Sequence, residues 1–251
     1  MALTHINCHY VADSGAGQGA AAFVALTPMG HPGTIVAAGS TALRENIGSQ
    51  VACKLAIEHF VESILDDFTA RDKKAPVPAD DHDKSVDVLE AAFRRANSSV
   101  YSFGHKLAAG GRMAASLMGV VLADRAVAAA RVGEGCVYLL RHGEMFPFFE
   151  VKPPAAVAEQ AQEQLVGAHS LVSVEVASVP LEADDLIVIL SRTPSQNEER
   201  RLPIVGRNLD LSGGENVAET ISRRVFESGD PIRFALVVHV GPEVIYLQKS
   251  V

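Results

Sequence analysis

The chain has no tryptophan, three cysteines and only 6% aromatic residues in 251. Cys8, Cys53 and Cys136 stand far apart and are odd in number, which argues against a disulfide framework and against the paired-cysteine spacing of a structural zinc site. Free thiols in a reducing, cytoplasmic setting are expected. Positive charge is also short, with 22 Lys and Arg against 30 Asp and Glu and a formal net charge of -8. Binding to a phosphate backbone rests on clustered cations. The pairs Arg94-Arg95, Arg200-Arg201 and Arg223-Arg224 are too small to supply it, so no nucleic-acid partner is expected. No apolar run reaches the ~20 residues that span a bilayer, and the start, Met1 to Asn7, has no basic segment leading into an apolar one. No membrane partner is expected. Gly-x-Ser-x-Gly and His-Glu-x-x-His are missing too, so no nucleophile elbow or zinc-protease helix is written in the chain.

What is present is a core-forming composition, 48% hydrophobic with a mean hydropathy of +0.16. That is enough to bury one full domain. The stretch from Met113 to Phe149 organises it. Short apolar runs there are punctuated by Asp124-Arg125, Gly133-Glu134-Gly135 and His142-Gly143. The runs are too short for helices, so the pattern predicts three hairpin-linked antiparallel strands and a short fourth.

On either side, strands are expected at 5–11, 22–26, 34–38, 171–179, 186–191, 234–240 and 244–247. Helices are expected at 49–68, 85–106, 155–166 and 215–227, with loops at 39–48 and 192–213. The charged, proline-bearing stretch 69–84 reads as a mobile linker inside a single domain spanning 1–251. Val51, Leu55, Phe60, Val61, Ile64 and Phe68 form the apolar stripe expected of the first helix. In the second, Val86, Leu89, Phe93, Ala96, Val100, Phe103 and Leu107 recur at three- and four-residue steps. Two helices between two blocks of strands imply two mostly antiparallel sheets face to face, with helices on their outer faces.

Small motifs are weighed against their context. Asp13-Ser-Gly-Ala-Gly-Gln-Gly19 is glycine-rich, but no Lys-Ser/Thr follows it and no helix opens there, so it reads as a turn and not a phosphate loop. His5, Cys8 and His9 are spaced like metal ligands, yet in a strand Cys8 faces away from the two histidines. His31, His59, His142 and His239 read as surface or satisfied strand residues, and Phe146, Phe148 and Phe149 as core or interface.

Several longer phrases resemble the metal-dependent type 2C Ser/Thr protein phosphatases. Val132-Gly-Glu-Gly-Cys-Val-Tyr-Leu-Leu-Arg-His-Gly143 is similar to that family's Val-Gly-Asp-Ser-Arg-x-Tyr-Leu-x-Arg-x-Gly. Leu181-Glu-Ala-Asp-Asp-Leu-Ile-Val-Ile-Leu-Ser-Arg-Thr193 resembles Leu-x-Pro-Gly-Asp-x-Leu-Leu-Leu-Cys-Ser-Asp-Gly. The segment from Asp230 to Val240 resembles the closing Asp-Asn-x-Thr-Val-Val-Val-Val strand. The resemblance implies an α+β fold, a four-layer α-β-β-α sandwich. It also implies a binuclear Mg²⁺ or Mn²⁺ centre held by aspartates at strand ends, where a water is activated for attack on phosphorus.

The same comparison marks departures from the family at its ligand positions. Gln18 stands where the phosphate-gripping Arg is expected and Ala21-Ala22-Phe23 where Asn-Glu-Asp is expected. Val36-Ala-Ala-Gly39 resembles Val-Ala-Asp-Gly with Ala38 in place of the bridging Asp. Setting Met29-Gly30-His31 against Met-Gly-Gly-His also lacks the carboxylate. Arg192 replaces the Asp of Ser-Asp-Gly, and Glu134 lies near the Asp of Gly-Asp-Ser. Asp230 is the sole remaining ligand-like position.

An inward Arg192 would reverse the sign of the local field, and a carboxylate gains on the order of 4 kcal/mol beside a cation at an effective dielectric near 20. Arg192 pairing with Asp230, or projecting into solvent, are both open, as are turn roles for Glu134 and Asp230. The candidate cleft residues are Gln18, Ala38, Gly39, Glu134, Arg192 and Asp230, with no cofactor, no metal and no catalytic residue expected. Two functions follow. One is an inactive phosphatase-like scaffold for a protein or peptide partner. The other is a metal-independent enzyme or small-anion binder in which Gln18 and Arg192 grip the ligand.

Overall fold

The computed structural model describes residues 21–31, 33–42, 46–72, 81–107, 113–123, 125–150, 164–209, 216–226 and 232–241, and the backbone of 5–10. Two five-stranded antiparallel sheets carry the fold. One has the order β1 (His5–Tyr10), β10 (Phe234–His239), β9 (Leu186–Leu190), β6 (Cys136–Arg141) and β7 (Glu144–Pro147). The other runs β2 (Ala21–Leu26), β3 (Ile35–Ala42), β4 (Ala115–Ala123), β5 (Ala126–Val132) and β8 (Glu175–Pro180). Helices α1 (Ile47–Asp72) and α2 (Asp81–Lys106) pack on the β2–β8 sheet, and α3 (Gln196–Arg207) and α4 (Val217–Val225) on the other. This is the four-layer sandwich implied above.

Side-chain alternation explains why the central strands read as unbroken apolar runs: both of their faces are buried. On β4, Leu117 and Val121 join the helix-facing core with Phe60, Ile64, Leu89 and Phe93, while Met118, Val120 and Leu122 join the core between the sheets. On β9, Ile187 and Ile189 point between the sheets, and Leu186, Val188 and Leu190 point toward α3 and α4. At Gly119 the helix layer approaches the sheet closely. A Cβ there would lie 2.8 Å from Phe60 Cζ, under the edge-on Phe60–Phe93 pair at 5.5 Å.

Several sequence expectations change. The Gly133-Glu134-Gly135 stretch is not a hairpin turn, because β5 and β6 belong to different sheets and these residues carry the chain across. Both glycines have positive φ, 82° and 117°, a region that L side chains rarely enter. The loop expected at 39–48 is mostly regular, since β3 continues to Ala42 and α1 begins at Ile47. The linker expected at 69–84 begins and ends in helix, with α1 reaching Asp72 and α2 starting at Asp81.

On α1 the expected Phe60, Ile64 and Phe68 are buried, while Ala52, Cys53 and Ala56 are buried in place of the half-buried Val51, Leu55 and Val61. On α2, Phe103 and Leu107 are exposed, and Asn97 is buried instead, receiving Gly167 N and donating to the His169 and Ser170 carbonyls. The irregular segment expected at 192–213 contains α3, opened by Ser195 and Glu198 in a reciprocal capping box. Val166 is not helical but forms a bridge with Ala115. The rest of that expected helix, 155–163, and the strand at 244–247 lie outside the described residues.

One end of the β1–β7 sheet is closed by an ion pair. Arg141 forks onto Asp185 (Nε–Oδ1 2.9 Å, Nη2–Oδ2 2.7 Å) and reaches Glu182 Oε1 at 2.7 Å and the Pro180 carbonyl at 2.8 Å. Glu182 N also donates to Asp185. The Asp185 side chain is 1% exposed, so removing its partner leaves a buried charge uncompensated. Arg141→Ala is expected to lower unfolding free energy by about 3 kcal/mol, measured by urea titration. Arg141→Lys should recover only part, because an ammonium cannot reproduce the fork.

Candidate functional site

Strand direction gathers one set of ends at the other side of the sandwich. The C-terminal end of β3 lies beside the start of β4 (Thr41 opposite Ser116). The β5–β6 crossover joins the two sheets here, and Cys136 opens β6 opposite Leu190 at the end of β9. The start of β10 adjoins that end through Ser191, whose Oγ accepts from Arg233 N (2.8 Å) and Phe234 N (3.3 Å).

Between the sheets this end is filled by rings. Phe23 of β2 sits directly opposite Gly39 of β3, and Phe234 of β10 approaches from the other sheet. The Phe23 and Phe234 rings are 6.1 Å apart. A Cβ on Gly39 would lie 2.1 Å from Phe234 Cζ, so the ring occupies the space a side chain would need. Ala38 is completely buried on the opposite face, in the core beneath α1. The candidate cleft set therefore splits: Gly39 faces the space between the sheets and Ala38 does not, because consecutive strand residues point to opposite faces.

The crossover is tied down on both sides. Ser116 Oγ accepts from Glu134 N at 2.9 Å and Ser40 Oγ donates to Ser116 O at 2.7 Å. Arg131, buried beneath the Phe149 ring at 4.7 Å, donates to Gly135 O and pairs with Glu175 at 2.7 Å. Glu134 thus stands at the site end, half-buried, as part of a sheet-to-sheet crossing. Cys53 donates to Ser40 O and Cys136 to Arg192 O. Burial pushes both thiols above their ordinary values, so neither is a ready nucleophile.

Arg192 is held on the helix side of its sheet. Its Nη1 and Nη2 donate to Glu198 Oε2 and Oε1 at 2.9 and 2.8 Å, Nη1 also reaches Thr193 O, and the guanidinium lies 4.9 Å over the Phe226 ring. Sequence reasoning missed Glu198. The signal was available in Ser195-x-x-Glu198, since the carboxylate that caps α3 through Ser195 N (2.7 Å) is the one Arg192 grips. Asp230, the other partner considered for Arg192, lies outside the described residues, as does Gln18. His31 packs on Phe68, His59 pairs with Glu62, His142 is exposed near Glu182, and His239 lies 3.6 Å from Asp184.

The whole arrangement is similar to solved bacterial phosphatases. One is PppA, described as a key regulatory component of T6SS in Pseudomonas aeruginosa (13% identity, 94% of this chain and 97% of that one, TM-score 0.65). Another is the Mycobacterium tuberculosis serine/threonine phosphatase PstP/Ppp (15% identity, 95% and 99% covered, TM-score 0.65). A third is Stp1 from Staphylococcus aureus (10% identity, 95% of each chain, TM-score 0.68). The fold is that of the type 2C Ser/Thr protein phosphatases. No protein-family model matches the sequence, and no curated protein matches it.

A type 2C centre needs several carboxylate oxygens around hard divalent cations, and the PstP catalytic domain is known in complex with two manganese ions. The described residues of this chain do not fit such a group. At the matched positions stand Phe23, Ala38 and Arg192, and Glu198 is already held by Arg192. Among the described residues no three His, Cys, Asp or Glu side chains converge on a common point.

The Arg192–Glu198 pair makes a pH prediction. The Arg192 guanidinium is the main cause holding the Glu198 carboxyl at about 2, against an ordinary 4.5, with burial opposing it and the Ser195 amide assisting. Because the folded value lies below the unfolded one, the stabilisation is fully present above pH 4.5 and is lost as pH falls toward 2. The side chains are 16% and 9% exposed, so solvent screening is limited. Between those limits the wild type should lose about 3 kcal/mol more than Glu198→Gln, read from urea unfolding across the acid range.

Proposed function

We propose that this chain is a catalytically inactive phosphatase-like domain that works by holding a protein or peptide partner. The observation that carries this reading is the Phe234 ring seated on Gly39, with Phe23 beside it. Phe23 falls where the sequence resemblance expects an aspartate of the phosphatase centre, and its ring packs with Phe234. Placing an unpaired carboxylate against these rings costs free energy unless a cation compensates it. Among the described residues the one cation that replaces a family ligand, Arg192, is already engaged with Glu198.

The same engagement counts against the second reading, a metal-independent anion site, because that site relies on Arg192 to grip its ligand. A cytoplasmic setting belongs with the proposal: Cys53 and Cys136 are free thiols, and among the described residues no helix is long and apolar enough to cross a membrane.

The test is p-nitrophenyl phosphate or phosphopeptide hydrolysis with Mn²⁺ or Mg²⁺, together with calorimetric titration of Mn²⁺. The expected result is no turnover above buffer and no stoichiometric Mn²⁺ binding. Turnover that Asp230→Ala abolishes would overturn the reading.

A further inference from the structure

Three arginine pairs stand out in the sequence, and the fold treats them differently. On α2, Arg94 meets Glu90 at 3.2 Å, and Arg95 meets Asp66 at 2.8 Å and Glu62 at 3.4 Å. On α4, Arg223 pairs with Glu219 one turn away. On α3, Arg200 and Arg201 are exposed, and neither has an ion-pair partner among the described residues. Arg207, at the end of the same helix, donates Nε to the Gly143 carbonyl at 2.9 Å and meets no carboxylate there. The carboxylate on α3 best placed to neutralise a cation, Glu198, is already bound to Arg192. In a chain of net charge -8, three guanidiniums on one helix thus meet no carboxylate among the described residues.

Helical spacing gives these groups a common direction. Glu198 and Leu202 turn inward, Arg200 and Ile204, at i and i+4, lie on the opposite side, and Arg207 is exposed at the end of the helix with its stem against Gly143. Ile204 is 62% exposed, an apolar side chain between two arginines with Arg201 flanking them. Guanidiniums fork onto carboxylates in a fixed planar geometry and are less strongly hydrated than ammonium groups, which suits them to an interface. Three cations on a net-negative protein match a short acidic segment better than a polyanion, whose binding relies on many phosphate contacts and is opposed by the remaining surface.

We propose that the outer face of α3 docks an acidic peptide segment of a partner protein, with its carboxylates on Arg200, Arg201 and Arg207 and one apolar side chain set on Ile204. This surface lies on the outside of the helix layer, and its occupancy does not depend on the state of the strand-end site.

A fluorescein-labelled peptide of Glu and Leu residues, titrated with the full chain and read by anisotropy, tests it. Binding is expected with a Kd on the order of 10–100 µM at low salt, weakening as salt rises. Arg200→Glu with Arg207→Glu should weaken it by about tenfold or more, and Ile204→Ser by about threefold. Arg94→Glu with Arg95→Glu makes the same change in net charge on α2 and should leave the affinity within about twofold. The substituted positions on α3 are exposed, and an unchanged thermal midpoint checks that each variant is folded. Three results would overturn the assignment: no binding by the wild type, equal loss in the two double variants, or a labelled single-stranded oligonucleotide binding more tightly than the peptide.

Discussion

The contact on which the strand-end region depends is the Phe234 ring lying over Gly39. It joins the two sheets at the end where β5 crosses to β6, and it requires that β3 carry no side chain there. Phe23, opposite Gly39 on the neighbouring strand, closes the flank of the same ring. Ser191 then fixes the start of β10 by accepting two successive amides, Arg233 and Phe234, so the ring is delivered to its position by backbone hydrogen bonds. Any group larger than hydrogen at 39 must displace that ring, and moving the ring strains the junction of β9 and β10.

An aromatic contact of this kind differs electrostatically from a ring of carboxylates. Carboxylates around a metal repel each other until the ions arrive, whereas an aromatic plug has no such requirement. Replacing a buried charged group with well-packed apolar side chains is commonly neutral or stabilising. The Arg192 charge is directed to the outer layer, while Arg131 keeps its own partner, Glu175, beside the crossover. Arg192 leaves the end of β9, covers Phe226 and binds the carboxylate that caps α3. One ion pair thereby anchors a helix to a strand end, which is a structural task.

The sequence was legible where chemistry is local. The turn at His142-Gly143 announces itself through residues that tolerate positive φ, 51° and 75° here, and the turn at Arg125, with φ of 70°, through two charged residues between apolar runs. The strands between them were therefore found. What could not be read locally was sheet membership. Gly133-Glu134-Gly135 looks like a hairpin turn, and only the partners of β5 and β6, β8 and β9, reveal a crossing. Ala38 and Gly39 illustrate a second limit, since a one-residue difference in parity exchanges the two faces of a strand. The helix α3 was hidden by Pro203 and a polar composition, although its capping box was in plain view. Gln18 and Asp230 fall outside the described residues, so the structure adds nothing to their reading.

The two ends of the β1–β7 sheet show how one scaffold separates framework from site. Arg141 and Asp185 come from two different phrases of the family resemblance and meet in space, where Asp185 is buried and its carboxylate is bonded at both oxygens. That pair holds the turn before β9 against the end of β6, and its geometry serves any activity or none. At the opposite end of the same strands, Phe23, Ala38 and Arg192 depart from the same family phrases. They lie in three different layers: Phe23 packs with Phe234 between the sheets, Ala38 packs beneath α1, and Arg192 binds Glu198 on the α3 side. A carboxylate introduced at 23 or at 38 would displace apolar contacts of a different layer in each case, and one at 192 would take the arginine from Glu198 and set two carboxylates side by side.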